Sequence, residues 1–85
     1  MPRISAFYGI VIWMYRPDHP PIHFHAQYGD SWAQVGLDGR ILEGSLPPRA
    51  LRLVRAWTRL HVDELQVNWD RAQAREELLP IAPLE

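Results

Sequence analysis

Three of the chain's eight prolines fall within RPDHPP, residues 16–21. Proline has no N–H and a fixed φ, so this stretch can neither continue a helix nor donate to a sheet ladder. It must be a turn, and whatever flanks it must be separate elements. Before it, ISAFYGIVIWMY, residues 4–15, is β-branched, aromatic and apolar almost throughout, which predicts a strand covered on both faces. After it, IHFHAQY, residues 22–28, alternates and predicts a second strand. Gly29-Asp30 supplies a tight turn into a third, SWAQVGL at residues 31–37. Asp38-Gly39 is the strongest hairpin signal in the chain and leads to a short strand at 40–43. An antiparallel sheet of three to four strands is therefore expected.

The second half changes period. Ser45 offers an N-cap and Pro47 and Pro48 suit a first helical turn, where a missing N–H costs nothing. Over residues 47–60, Ala50, Leu53, Val54, Trp57 and Leu60 share one face of a helix turning about 100° per residue. Val62, Leu65, Trp69 and Ala72 form a second apolar stripe. On one continuous helix it would lie roughly 100° round from the first. A straight helix cannot aim both stripes at one core, so a break is predicted near His61–Asp63, with a second helix over residues 63–78. The tail at 80–85 (PIAPLE) is read as extended. The expected architecture is a single α+β domain with two helices covering one face of the sheet.

At 85 residues the core must be modest. Trp13, Trp32, Trp57 and Trp69 are its natural anchors, because large aromatics bury the most area per side chain. With no cysteine, disulfides and thiolate ligands are excluded, and any metal must be held by His, Asp, Glu or backbone oxygen. The formal net charge is −1, which argues against a wholesale polyanion binder. The apolar run at residues 7–15 is too short to span a bilayer. It leads to no small-residue cleavage site, so no signal peptide is expected and the expected address is the cytoplasm.

The chemistry concentrates in DHPPIHFHA, residues 18–26, which holds three of the chain's four histidines. On a strand, positions i and i+2 share a face, so His23 and His25 stand side by side with Phe24 directed to the core. His19, beyond the proline turn, can fold over them, with Asp18 beside it. Three readings follow. His19, His23, His25 and Asp18 could hold zinc or another divalent ion with an open position for water. Without metal, His23 and His25 could act as acid and base on RNA, with Arg16 holding a phosphate. Or the imidazoles could bond backbone and carboxylate groups and shape the turn. His61, at the proposed helix break, is read as structural.

All nine basic residues are arginine. Arg49, Arg52, Arg55 and Arg59 gather on the helix face opposite the core stripe and are candidate contacts to a phosphate backbone or an acidic partner. A solvated face is the plain alternative.

The whole chain resembles a small bacterial family known as domain of unknown function 4160. The resemblance is carried by Pro2-Arg3-Ile4-Ser5, Phe7-Tyr8-Gly9-Ile10, Asp18-His19, His23-Phe24-His25-Ala26, Gly44-Ser45-Leu46-Pro47 and Ala50-Leu51-Arg52-Leu53-Val54. It continues through Trp57, Leu60-His61, Glu64-Leu65, Asn68-Trp69 and Pro83-Leu84. Ile22 departs from the pattern, since proline usually precedes the His-Phe-His element. The resemblance implies a genomic context beside a second small family, domain of unknown function 2442, and hence a toxin-like component held by a small cognate protein. The expected function is toxin-like action on nucleic acid through His19, His23 and His25. The alternative is a non-catalytic partner-binding module that uses the arginine helix. A sheet with an exposed edge could also form a homo-oligomer.

Overall fold

The structure is a computed structural model that describes residues 2–85. Five strands, β1 (Arg3–Phe7), β2 (Ile10–Trp13), β3 (His23–Tyr28), β4 (Ser31–Gly36) and β5 (Ile41–Ser45), form one antiparallel sheet in sequential order. Two helices follow, α1 (Pro48–Leu60) and α2 (Val62–Gln73).

The sheet has five strands rather than three or four because the apolar run at 4–15 is a hairpin. Phe7 pairs with Ile10 around the two-residue loop Tyr8-Gly9, whose φ angles are 50° and 80°. Positive φ at both central positions is the pattern of a type I′ turn, whose twist matches that of the flanking strands. Tyrosine rarely occupies that position, which is why the turn hides within an apolar run. The 38–39 hairpin is present, with Asp38 Oδ1 accepting from the Arg40 N–H at 2.9 Å, and β5 runs slightly later than expected.

Alternation sorts the sheet into two faces. Ile10, Ile12, Phe24, Ala26, Ala33 and Val35 are all buried, and the pairs Ile12↔Ala26, Ala26↔Ala33 and Phe24↔Val35 hold them together on one face. Trp57 of α1 fills the space above, its ring centroid 5.5 Å from Phe7 and 5.6 Å, edge-on, from Phe24. Trp69 is buried too, but two of the expected anchors are not in this core. Trp32 is 49% exposed and Trp13 half-buried, both at strand positions that alternate with the buried ones, on the face the helices leave open.

The helical half divides at His61, which ends α1 and begins α2. Its N–H donates to the carbonyls of Trp57 and Thr58, and its Nδ1 lies 2.6 Å from Glu64 Oε1. Ala50, Val54 and Trp57 of α1 and Leu65, Asn68, Trp69 and Ala72 of α2 face the core. Leu60 and Val62, assigned above to the two stripes, are exposed because they flank the break where burial passes from one helix to the other.

The second helix ends at Gln73, not near 78. Arg75 takes a left-handed φ of 60°, the Glu76 N–H donates to the Arg71 carbonyl and the Arg75 N–H to that of Ala72. These are the two bonds of a Schellman stop, made here with arginine where glycine is usual. The tail then returns over its own domain. Leu78 and Ile81 are buried, the Ile81 N–H donates to Ile4 of β1 at 2.8 Å, and Trp57 Nε1–H donates to the Ala82 carbonyl at 2.9 Å. The buried Asn68 carboxamide donates to the Leu79 carbonyl and accepts from the Leu79 N–H, both at 2.8 Å. Among the described residues no helix is long and apolar enough to cross a membrane.

Candidate functional site

The proline turn folds residues 14–22 back over the start of β3 and ties them to the end of α2. The Asp18 N–H donates to Gln73 Oε1 at 3.1 Å, and Arg16 Nη1 donates to the Glu76 carbonyl at 3.5 Å. The effect is to place the Asp18 carboxylate, 7% exposed, among three imidazoles. Its Oδ1 accepts from the His19 N–H at 2.8 Å and lies 3.1 Å from His19 Nδ1. Its Oδ2 lies 3.1 Å from His23 Nε2 and 3.3 Å from His25 Nε2.

The imidazoles differ in what surrounds them. His23 and His25 sit side by side as strand periodicity requires, their ring centroids 5.1 Å apart. His23 is 1% exposed, covered by the proline turn and by Trp69 of α2 at a ring distance of 5.7 Å. Its Nδ1 is 2.7 Å from the Pro21 carbonyl, an oxygen that can only accept, so Nδ1 carries a proton. His25 is partly open, with the Tyr15 ring meeting it edge-on at 4.6 Å. Burial lowers the His25 pKa below its ordinary value of 6.5, and neighbouring His23 adds to the lowering. The bond to Asp18 opposes both. His19 is on the outside, with 80% of its side chain exposed.

On the open face of the sheet, Trp13, Tyr15, His25, Ala26, Gln27, Trp32 and Gln34 line a cleft of about 370 Å³. His25 belongs to both the cleft and the Asp18 cluster. It pairs with Trp13 on β2 and with Gln34 on β4, which puts an indole and a carboxamide on either side of its ring.

The structure thus brings together Asp18, His19, His23 and His25. Arg16 is not among them, its guanidinium being turned to the end of α2. Arg49, Arg52, Arg55 and Arg59 are all exposed on α1, and Arg55 Nε donates to the Gly39 carbonyl at 2.9 Å, which ties α1 to the β4–β5 turn. Asp30 is exposed in the β3–β4 turn. The aromatic cleft was not among the predicted features. Its signal was present: Trp13 and Trp32 occupy the strand positions that alternate with Ile12 and Ala33, so they cannot share a face with them. No curated protein and no solved structure matches the chain. The family described as domain of unknown function (DUF4160) matches residues 9–70, from the first turn to the last turn of the second helix, and the chain belongs to that family.

Proposed function

We propose that the protein acts on single-stranded nucleic acid, RNA in particular, at the open face of its sheet. One observation carries this reading: His25 stands at once in the Asp18 cluster and in a cleft lined by Trp13, Tyr15 and Trp32. Every base has a π-face, so exposed aromatic rings bind unpaired bases without strict sequence preference, at roughly 1–3 kcal/mol per stacked base. The free carboxamide of Gln34 adds a donor and an acceptor for a base edge. A strand held there brings its phosphates past His25, the one member of the cluster both bonded to Asp18 and open to the cleft.

The reading extends to the toxin-like role that the family resemblance implies, in a cytoplasmic setting, with the activity held by a small partner protein. The exposed Arg49, Arg52 and Arg59 on α1 supply a cationic face for an acidic partner, on an element separate from the cleft.

The test is induced expression in a bacterium lacking the partner, together with binding of a labelled single-stranded RNA to purified protein. Wild type should arrest growth and bind the strand. Trp32→Ala should weaken binding, and His25→Ala should bind yet leave growth unaffected. A wild-type protein that is harmless at high level and ignores the strand would remove this reading.

A further inference from the structure

His23 presents a contradiction that its neighbours do not resolve. The ring is buried, its Nδ1 proton is engaged by the Pro21 carbonyl, and in the neutral ring Nε2 is left as a lone pair. That lone pair has no hydrogen-bond partner among the described residues. It lies 3.1 Å from a carboxylate oxygen, close enough for an ion pair but without hydrogen-bonding direction. An acceptor held this near another acceptor is unfavourable and, in a buried site, costly. Something positive belongs between them.

We infer that Asp18, His23 and His25 form a site for one first-row divalent metal ion of the zinc class, bound through Asp18 Oδ2 and the two Nε2 atoms. Three features support it independently of any nucleic acid at the cleft. First, Asp18, His23 and His25 can each offer one ligand atom such that all three lie within 4.8 Å of one another. The Oδ2 separations of 3.1 and 3.3 Å from the two Nε2 atoms are close to the edge of a tetrahedron around zinc, about 3.3 Å for bonds of about 2.0–2.1 Å. Second, the Nδ1–H of His23 bonded to a backbone carbonyl is the usual outer support of a metal-ligating imidazole, because it fixes the ring and the tautomer. Third, the Asp18 carboxylate is itself oriented from outside, with Oδ1 accepting from the His19 N–H and the Asp18 N–H bonded to Gln73. Oδ2 is thereby left for the ion.

Two imidazoles and a carboxylate favour zinc, iron, nickel or copper over magnesium and calcium, which prefer all-oxygen shells. Three protein ligands leave a position for water or a substrate oxygen, the mark of a catalytic rather than a structural zinc site. Of the three ligands, His25 also lines the cleft. His19 is outside the set. Its ring is solvent-exposed and faces the other carboxylate oxygen.

Untagged protein, stripped with chelator, is titrated calorimetrically with zinc chloride at pH 7.5 and separately with magnesium chloride. One equivalent of zinc should bind and magnesium should not. Asp18→Asn, which keeps the Oδ1 acceptor and hence the turn, should weaken zinc binding on the order of 100-fold or more, and so should His25→Gln. His19→Gln and His61→Gln should leave it unchanged. Circular dichroism of each variant establishes that it is folded. His23→Gln provides a further ligand variant if either of the first two is not. Absence of zinc binding, or binding that survives all three ligand substitutions, overturns the inference. Zinc binding without any action on RNA upholds it while removing the functional reading above.

Discussion

The Nδ1–H of His23 donates to the carbonyl of Pro21 across 2.7 Å. A proline two residues before the strand thus decides the tautomer of the buried imidazole and turns its other nitrogen toward Asp18. The turn works as part of the site, and loop, strand and helix end are joined through it: Pro21 to His23, Asp18 to Gln73, Arg16 to Glu76.

Binding of an ion at these residues should stabilise the fold as well as occupy it. At free zinc about 100 times the dissociation constant, linkage contributes about 2.7 kcal/mol. For a domain of this size that corresponds to a rise in Tm on the order of 10 °C or more. Differential scanning calorimetry of stripped protein with and without zinc measures it, and Asp18→Asn should lose most of the rise.

The metal-free protein should weaken in acid through His25. Its folded pKa lies below 6.5, chiefly because burial disfavours the charged ring. The unfolded chain therefore binds the proton more readily. This contribution to stability is complete above pH 6.5 and is lost as pH falls through the lowered folded value. Urea unfolding at pH 7.5 and pH 5 should show a larger loss for wild type than for His25→Gln. Equal losses would mean that His25 titrates alike in both states.

Asn68 holds the tail. Its carboxamide makes both a donor and an acceptor bond to the backbone of Leu79, from a fully buried position. Asn68→Ala should cost about 1–3 kcal/mol and should speed hydrogen exchange at Leu79 and Ile81 ahead of the sheet. Exchange that accelerates equally everywhere would show the tail to be no separate unit.

Gly44 in β5 has a φ of 81°, and a Cβ there would stand 2.3 Å from the Trp32 carbonyl oxygen. Both the conformation and the approach exclude a side chain. Gly44→Ala should destabilise by about 1–3 kcal/mol, measured by thermal unfolding. It should also loosen the β4–β5 pairing that carries Trp32 and Gln34 to the cleft.

Much of this arrangement was legible in the sequence, and the parts that were not have two physical causes. The offset of the two apolar stripes located the helix break at His61, because helical geometry leaves no other solution. The His-x-His spacing placed His23 and His25 together for the equally rigid reason of strand periodicity. What escaped were backbone conformations adopted by unusual residues. Tyr8 takes a left-handed turn position that usually belongs to Asn or Asp, and Arg75 takes a helix stop that usually belongs to Gly. Both side chains are exposed, so no burial pattern in the sequence marks either conformation. The cleft escaped for a different reason. Four tryptophans suggest four core anchors; alternation already sets Trp13 and Trp32 on the face opposite Ile12 and Ala33, but only the pairing of β2, β3 and β4 shows that the two line one cleft.

In the proposed site the Nε2 atoms of His23 and His25 meet at one ion with Asp18. Long-range proton–nitrogen NMR of the four imidazoles, recorded on stripped protein before and after one equivalent of zinc, tests it most directly. Both Nε2 signals should move together while the Nδ1 of His23 keeps its proton, and His19 and His61 should be unmoved. Unchanged Nε2 signals of His23 and His25, or a response confined to His19 or His61, would contradict it.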